Sequence, residues 1–126
     1  MVVLDTHAIV WWAGTPELLS ARAERSLSNA DRLGVPAIVF WETSLLVRKG
    51  RLDLGMPVDQ WATNVQAIPR VDALPLTAEI ALAADALNMH ADPADRFIVA
   101  TAMHHGVPVV TKDRLLRALR IIKTIW

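Results

Sequence analysis

DPADRFIVATAMHHGVPVVTKD, residues 92–113, reads as a helix, a turn and a strand in direct succession. Asp92 is placed to cap the helix and Pro93 to begin it, since proline has no N–H to leave unpaired there and its φ is already helical. The helix is expected to run to about His105 and to close on Gly106, the residue for which left-handed backbone is easiest. Val107–Thr111 then reads as a strand, and Asp113 stands just beyond its end. Working outward, the same alternation fills the chain. Val2–Asp5 reads as a first strand and Thr6 to about Ala13 as a short helix stopped by Gly14. Pro16–Asn29 reads as one amphipathic helix with Leu18, Leu19, Ala23 and Leu27 on one side. Leu33–Val35 is a short strand, and Pro36 suits the first turn of a helix that runs to about Lys49 and ends at Gly50. Val58–Ala67 reads as a helix, Val71–Leu76 as extended, and Thr77–Leu87 as a helix capped by Thr77. Arg114–Leu119 is a helix and Ile121–Trp126 a last strand. Apolar strands separated by helices predict an α/β protein, a single domain over residues 1–126, with a parallel sheet of four or five strands covered on both faces.

Hydrophobic residues make up 53% of the chain and mean hydropathy is +0.32, which fits a covered sheet and an apolar surface hidden by a partner or a second copy. No apolar run approaches the roughly 20 residues of a membrane helix, and no signal peptide is expected. Cysteine is absent, which excludes disulfides and thiolate metal sites and agrees with a cytoplasmic location. Thirteen basic and thirteen acidic residues give a formal net charge of +0. Any contact with nucleic acid must therefore come from local patches or bound cations.

Four acids depart from ordinary surface charges. Asp5 lies between an apolar strand and an apolar helix, where a carboxylate is costly unless a positive charge compensates it. Asp113 follows a second strand, and ligands in parallel α/β sheets gather at the carboxyl ends of strands. Glu42 has Ile38, Val39, Leu45 and Leu46 as its helical neighbours, which leaves it either paired with one arginine or part of a site. Asp95 is both a favourable first-turn acid on its helix and a candidate for the rim that Asp5 shares. Four converging carboxylates raise one another's pKa, and a hard divalent cation such as Mg²⁺ or Mn²⁺ relieves the repulsion.

The ordered set LDTH (4–7), WETSLLVRKGRL (41–52), DPADRFIVATA (92–102) and VVTKD (109–113) resembles the PIN-domain ribonucleases, and most closely the toxin half of VapBC-type toxin–antitoxin pairs. The resemblance implies a three-layer α/β/α PIN-like domain in which Asp5, Glu42, Asp95 and Asp113 hold Mg²⁺ or Mn²⁺. It implies cleavage of RNA phosphodiesters by a metal-activated water, a homodimer, and silencing by a cognate antitoxin that fills a groove near the acids. Thr6 and Thr111 match hydroxyl positions beside the acids, where they orient a carboxylate or a water; helix capping by Thr6 and strand termination by Thr111 are equally open. Arg96 matches the arginine of the family's Asp-Arg pair and either meets a phosphate or braces a carboxylate.

Lys112, Arg114, Arg117, Arg120 and Lys123 make the C-terminal stretch the most basic. A solvated helix face explains Arg114, Arg117 and Arg120, and an RNA-backbone role for Lys112, Arg114 and Arg117 is the alternative. His104 and His105 read as helix C-terminal residues that favour the dipole. Trp11 and Trp12 are adjacent and cannot both face the core, whereas Trp41 and Trp61 read as core. Two other functions remain open. A haloacid-dehalogenase-like phosphotransferase also begins with a strand ending in Asp, but it needs a second Asp where this chain has His7. A PIN-like domain that binds without turnover is the other.

Overall fold

Val2–Leu4 (β1) is buried at every position, so side chains pointing to opposite sides of the strand are all out of water. That pattern requires helices on both faces of the sheet, and the chain supplies them. The structure is a computed structural model describing residues 1–126. The strands after β1 are Leu33–Pro36 (β2), Val71–Leu74 (β3), Val109–Val110 (β4) and Thr124–Ile125 (β5), in the order β3-β2-β1-β4-β5. Every pairing is parallel. Seven helices flank the sheet: Thr6–Gly14 (α1), Ala21–Asn29 (α2), Ala37–Arg48 (α3), Val58–Ala67 (α4), Ala78–Ala86 (α5), Pro93–His105 (α6) and Arg114–Ala118 (α7). The α/β/α architecture expected from the sequence is the one observed. No helix is long and apolar enough to cross a membrane.

The strand order positions the site. From β1 the chain builds outward through β2 to β3, then returns to place β4 on the other side of β1. The order therefore reverses between β1 and β4, and a crevice opens at the carboxyl ends of strands at such a point. The backbone N–H of Asp5 still donates to Val110 at 3.2 Å, so the first acid leaves β1 within the β1–β4 seam. The core beneath it is apolar, with Val3, Leu4, Ile9, Leu27, Leu33, Val35, Val39 and Ile98 fully enclosed.

Local rules fix α6 and α5. Asp92 caps α6, Pro93 opens it, and Gly106 ends it at φ 66°. The Thr77 hydroxyl caps α5 by accepting from Ile80 N–H at 3.2 Å. Several expectations need correcting. Pro16–Asn29 is not one helix: Pro16–Leu18 forms a single 3₁₀ turn, Leu19 is extended, and Ser20 starts α2 by accepting from Ala23 N–H at 3.0 Å. A serine hydroxyl inside the expected helix competes for a backbone donor and begins a new one. Pro36 ends β2 rather than entering α3. The strands placed at Val71–Leu76, Val107–Thr111 and Ile121–Trp126 are shorter, at Val71–Leu74, Val109–Val110 and Thr124–Ile125. Trp61 is core, but Trp41 is 54% exposed on the outer side of α3.

Candidate active site

Asp5 is fixed from both sides. Its extended backbone makes it the N-cap of α1, and Oδ1 accepts from Ala8 N–H at 2.8 Å. Oδ2 accepts from the hydroxyl of Thr111, a fully buried residue just past β4. The Thr111 hydroxyl oxygen in turn accepts from Asp113 N–H at 3.0 Å. One hydroxyl thus joins the ends of β1 and β4. Asp5 is only 7% exposed, and burial pushes its pKa from 3.8 up to about 7. The Thr111 and Ala8 hydrogen bonds oppose that rise, and the charges of Asp95 and Glu42 add to it.

Asp113 caps α7, with Oδ1 accepting from Leu115 N–H at 2.7 Å and Leu116 N–H at 3.1 Å. Glu42 projects from α3, and its Oε1 accepts from the Thr6 hydroxyl. Asp95 lies in the first turn of α6, where its Oδ2 meets His90 Nε2 at 2.7 Å. Glu42 and Asp95 are half-buried, and burial is the main cause of the upward pKa shift in each. Neighbouring carboxylates reinforce both shifts: Asp95, Asp92 and Asp113 act on Glu42, while Asp92 and Asp113 act on Asp95.

All four acids line one hollow of about 440 Å³, together with Asp92, Thr6, His7, Trp11, Leu46 and Lys112. The hollow lies at the reversal point between β1 and β4. Every ligating atom its acids offer is a hard oxygen, the donor type that suits Mg²⁺ or Mn²⁺. Glu42 Oε2, Asp95 Oδ1 and Asp113 Oδ2 accept no hydrogen bond from the protein. The carboxylates line the hollow without closing on one point: no three acidic or histidine side chains stand close enough to enclose an ion as they are. Loose ligation fits Mg²⁺, which keeps several waters and is held through one or two carboxylates.

Thr6 does not cap α1, since Asp5 does; its hydroxyl serves Glu42 instead. Glu42 has no arginine partner. Lys112 lines the hollow, with its ammonium 5.5 Å from the Trp11 ring centroid. Arg114 and Arg117 lie on α7, outside this hollow. Arg96 departs from the expected carboxylate brace. Its guanidinium donates to the backbone carbonyls of Ala84, Asp85, Leu87, Met89 and His90, at 2.9 to 3.3 Å. It therefore ties the end of α5 and the following loop to α6, and that loop carries His90 to Asp95. Arg96→Ala is expected to lower stability by about 2–3 kcal/mol in urea denaturation, because it strips a charged donor from several carbonyls at once. Arg96→Lys is expected to recover less than half of this, since an ammonium cannot span the same fork.

Sequence reading missed His90 and the second role of Asp92. His90 lies in an irregular loop without periodicity, so only the Arg96 scaffold brings it to Asp95. Asp92 was legible as a cap, and its Oδ1 does accept from Asp95 N–H at 3.1 Å. Its contribution to the field in the hollow follows from its standing beside Asp95.

The PIN domain model matches residues 2–122. Ribonuclease VapC22 of Mycobacterium tuberculosis is 40% identical over 129 residues, spanning 99% of this chain and 98% of that protein. Among solved structures, VapC20 of M. tuberculosis, described as a sarcin-ricin-loop-cleaving toxin, superposes with a TM-score of 0.69 at 17% identity, over 94% of each chain. VapBC2 of Rickettsia felis, bound to a DNA fragment from its promoter, has a TM-score of 0.69 at 14% identity, over 98% of this chain and 97% of that one. At those identities the structures speak for the fold, and the sequence relative speaks for the family. With its parallel sheet, its reversal between β1 and β4 and its acid-lined hollow there, this chain belongs to the PIN-domain family.

Proposed function

We propose that this protein is a metal-dependent endoribonuclease acting as a cytoplasmic toxin that a cognate antitoxin restrains. The observation that carries the reading is that Asp5, Glu42, Asp95 and Asp113, drawn from four separate segments of the chain, line one hollow. Burial and mutual repulsion raise the pKa of Asp5, Glu42 and Asp95, which disfavours an array of bare carboxylates and favours a bound cation. The 40% identical relative is itself a ribonuclease, and structural relatives include toxin–antitoxin complexes.

Asp5 and Asp95 are the residues to hold Mg²⁺ or Mn²⁺, with Glu42 and Asp113 completing the shell or serving a second ion. A divalent ion bound there supplies a water of lowered pKa and neutralises charge on the phosphate. The chain's own residues do the rest. Thr111 and Thr6 hold one oxygen each of Asp5 and Glu42, which sets the direction of the remaining lone pairs. His90 does the same for Asp95. Lys112, held over the Trp11 ring, puts a positive charge at the mouth, where the substrate phosphate enters an otherwise acidic hollow. Exposed apolar side chains, among them Leu82 at 75% and Leu115 at 59%, favour association with an antitoxin or a second copy in a homodimer.

The test is cleavage of total cellular RNA by purified protein. Cutting is expected with Mg²⁺ or Mn²⁺, is expected to stop with EDTA, and should return on adding the ion back. Unchanged cutting in EDTA would contradict the reading.

A further inference from the structure

Beside the acidic hollow lies a second one of about 410 Å³, lined by Arg22, Arg114, Arg117, Ala118, Thr124 and Trp126. No acid borders it. Its three arginines come from α2 and α7, and none of their guanidiniums has an ion pair or hydrogen bond to another side chain or carbonyl. In a chain of zero formal net charge, three exposed guanidiniums around one depression concentrate positive charge where an anion is favoured. Guanidiniums also suit phosphate better than ammonium groups do, because their forked donors bind its oxygens in pairs.

The two hollows are joined in two ways. Asp113 lines the acidic one and caps α7, and the next residue, Arg114, lines the basic one. A run of rings also connects them. His7 lies 5.4 Å from Trp11, and Trp11 lies 5.8 Å from Trp126, centroid to centroid. His7 and Trp11 border the acids, Trp126 borders the arginines, and Lys112 stands over Trp11 between them. Rings interleaved with cations form the surface on which a single strand stacks its bases while its phosphates meet positive charge.

We propose that the Arg22–Arg114–Arg117 hollow is a phosphate subsite for single-stranded RNA. The strand leaves the acidic hollow across Trp11 and Trp126, and a backbone phosphate flanking the scissile one seats among the three arginines. This rests on the ribonuclease reading and adds to it the direction of the substrate path and the residues that hold it. An acidic protein segment is the less suitable occupant. It gains nothing from a ring track.

The test uses fluorescein-labelled single-stranded oligouridylate and anisotropy in Mg²⁺, with Asp95→Asn as the uncut parent. Adding Arg22→Ala, Arg114→Ala and Arg117→Ala is expected to weaken binding at least about tenfold. It should also make the slope of log K against log salt shallower by about 0.7, the value for one lost phosphate contact on a single strand. The corresponding triple lysine variant retains most of the salt slope, which separates lost charge from lost fold. Trp126→Ala weakens binding with little change in slope. Equal affinity and slope for the parent and the triple alanine variant overturn the subsite. RNA cleavage by the wild-type protein, run in parallel, shows whether the ribonuclease reading survives that result. If the triple alanine variant keeps RNA but loses the co-expressed antitoxin, the hollow is a protein contact and the proposal fails. If the wild-type protein neither binds nor cuts RNA, both readings fall together.

Discussion

Asp95→Asn is expected to reduce RNA cleavage at saturating Mg²⁺ by more than about a hundredfold, since on the proposed function it removes a metal ligand, a loss that exceeds the 10- to 100-fold cost of losing a group that merely orients one. The fold should be unaffected. Asp92 caps α6 through the backbone N–H of Asp95, which the substitution leaves in place. The amide keeps the volume of the carboxylate and removes a half-buried charge whose pKa burial already raises. Circular dichroism and thermal denaturation should therefore match the wild type or show a gain, while cleavage on a gel disappears. A variant that cuts RNA at the wild-type rate removes Asp95 from the chemistry.

Asp5→Asn should abolish cleavage too, but its larger effect is on stability. The carboxyl of Asp5 titrates near 7 in the folded protein against 3.8 for an ordinary aspartate. Below pH 4 it is protonated in both states and neutral to folding. As pH rises from 4, the unfolded chain ionises first, so it binds fewer protons than the native state and stability falls. The fall ends near pH 7, where the native carboxyl also ionises. Over that span the metal-free protein stands to lose up to about 4 kcal/mol from this one group. Glu42 and Asp95 act in the same direction. Asparagine escapes the loss, because its side-chain oxygen still accepts from Ala8 N–H and its NH₂ can donate to the Thr111 hydroxyl. Urea denaturation in EDTA is expected to find the wild type weaker at pH 7.5 than at pH 5, and Asp5→Asn nearly level. A wild-type protein no weaker at pH 7.5 than at pH 5 would contradict the burial of this carboxyl.

Much of this architecture could be read locally. The bounds of α6 were legible because its cap, its first proline and its closing glycine all stand at its two ends. The strands were legible as continuous apolar runs, which only a sheet covered on both faces explains. Their lengths were not, since a strand ends where its neighbour stops offering hydrogen bonds, and β4 has only two paired residues. The break at Ser20 was hidden because Leu19 is buried although it lies outside any helix, so the apolar spacing carried straight across it.

The candidate site divides in the same way. Asp5, Glu42 and Asp113 drew notice by lying in or after apolar stretches, and the structure gathers them with Asp95 in one hollow. The hydroxyl linking Asp5 to Asp113, the His90–Asp95 contact and the carbonyl cage around Arg96 depend on side-chain geometry between segments, which no spacing encodes. Arg22 is the clearest case. It reads as a polar position on an amphipathic helix, and only the packing of α2 and α7 against β5 gives it a neighbour of consequence.

The divalent ion proposed for these acids can be seen by anomalous diffraction from crystals soaked in Mn²⁺. One or two strong peaks are expected in the acidic hollow, about 2.1 Å from carboxylate oxygens of Asp5 and Asp95, and none there in Asp5→Asn crystals treated alike. A hollow that stays empty at saturating Mn²⁺, or a peak that persists unchanged without the Asp5 carboxylate, would contradict the proposal.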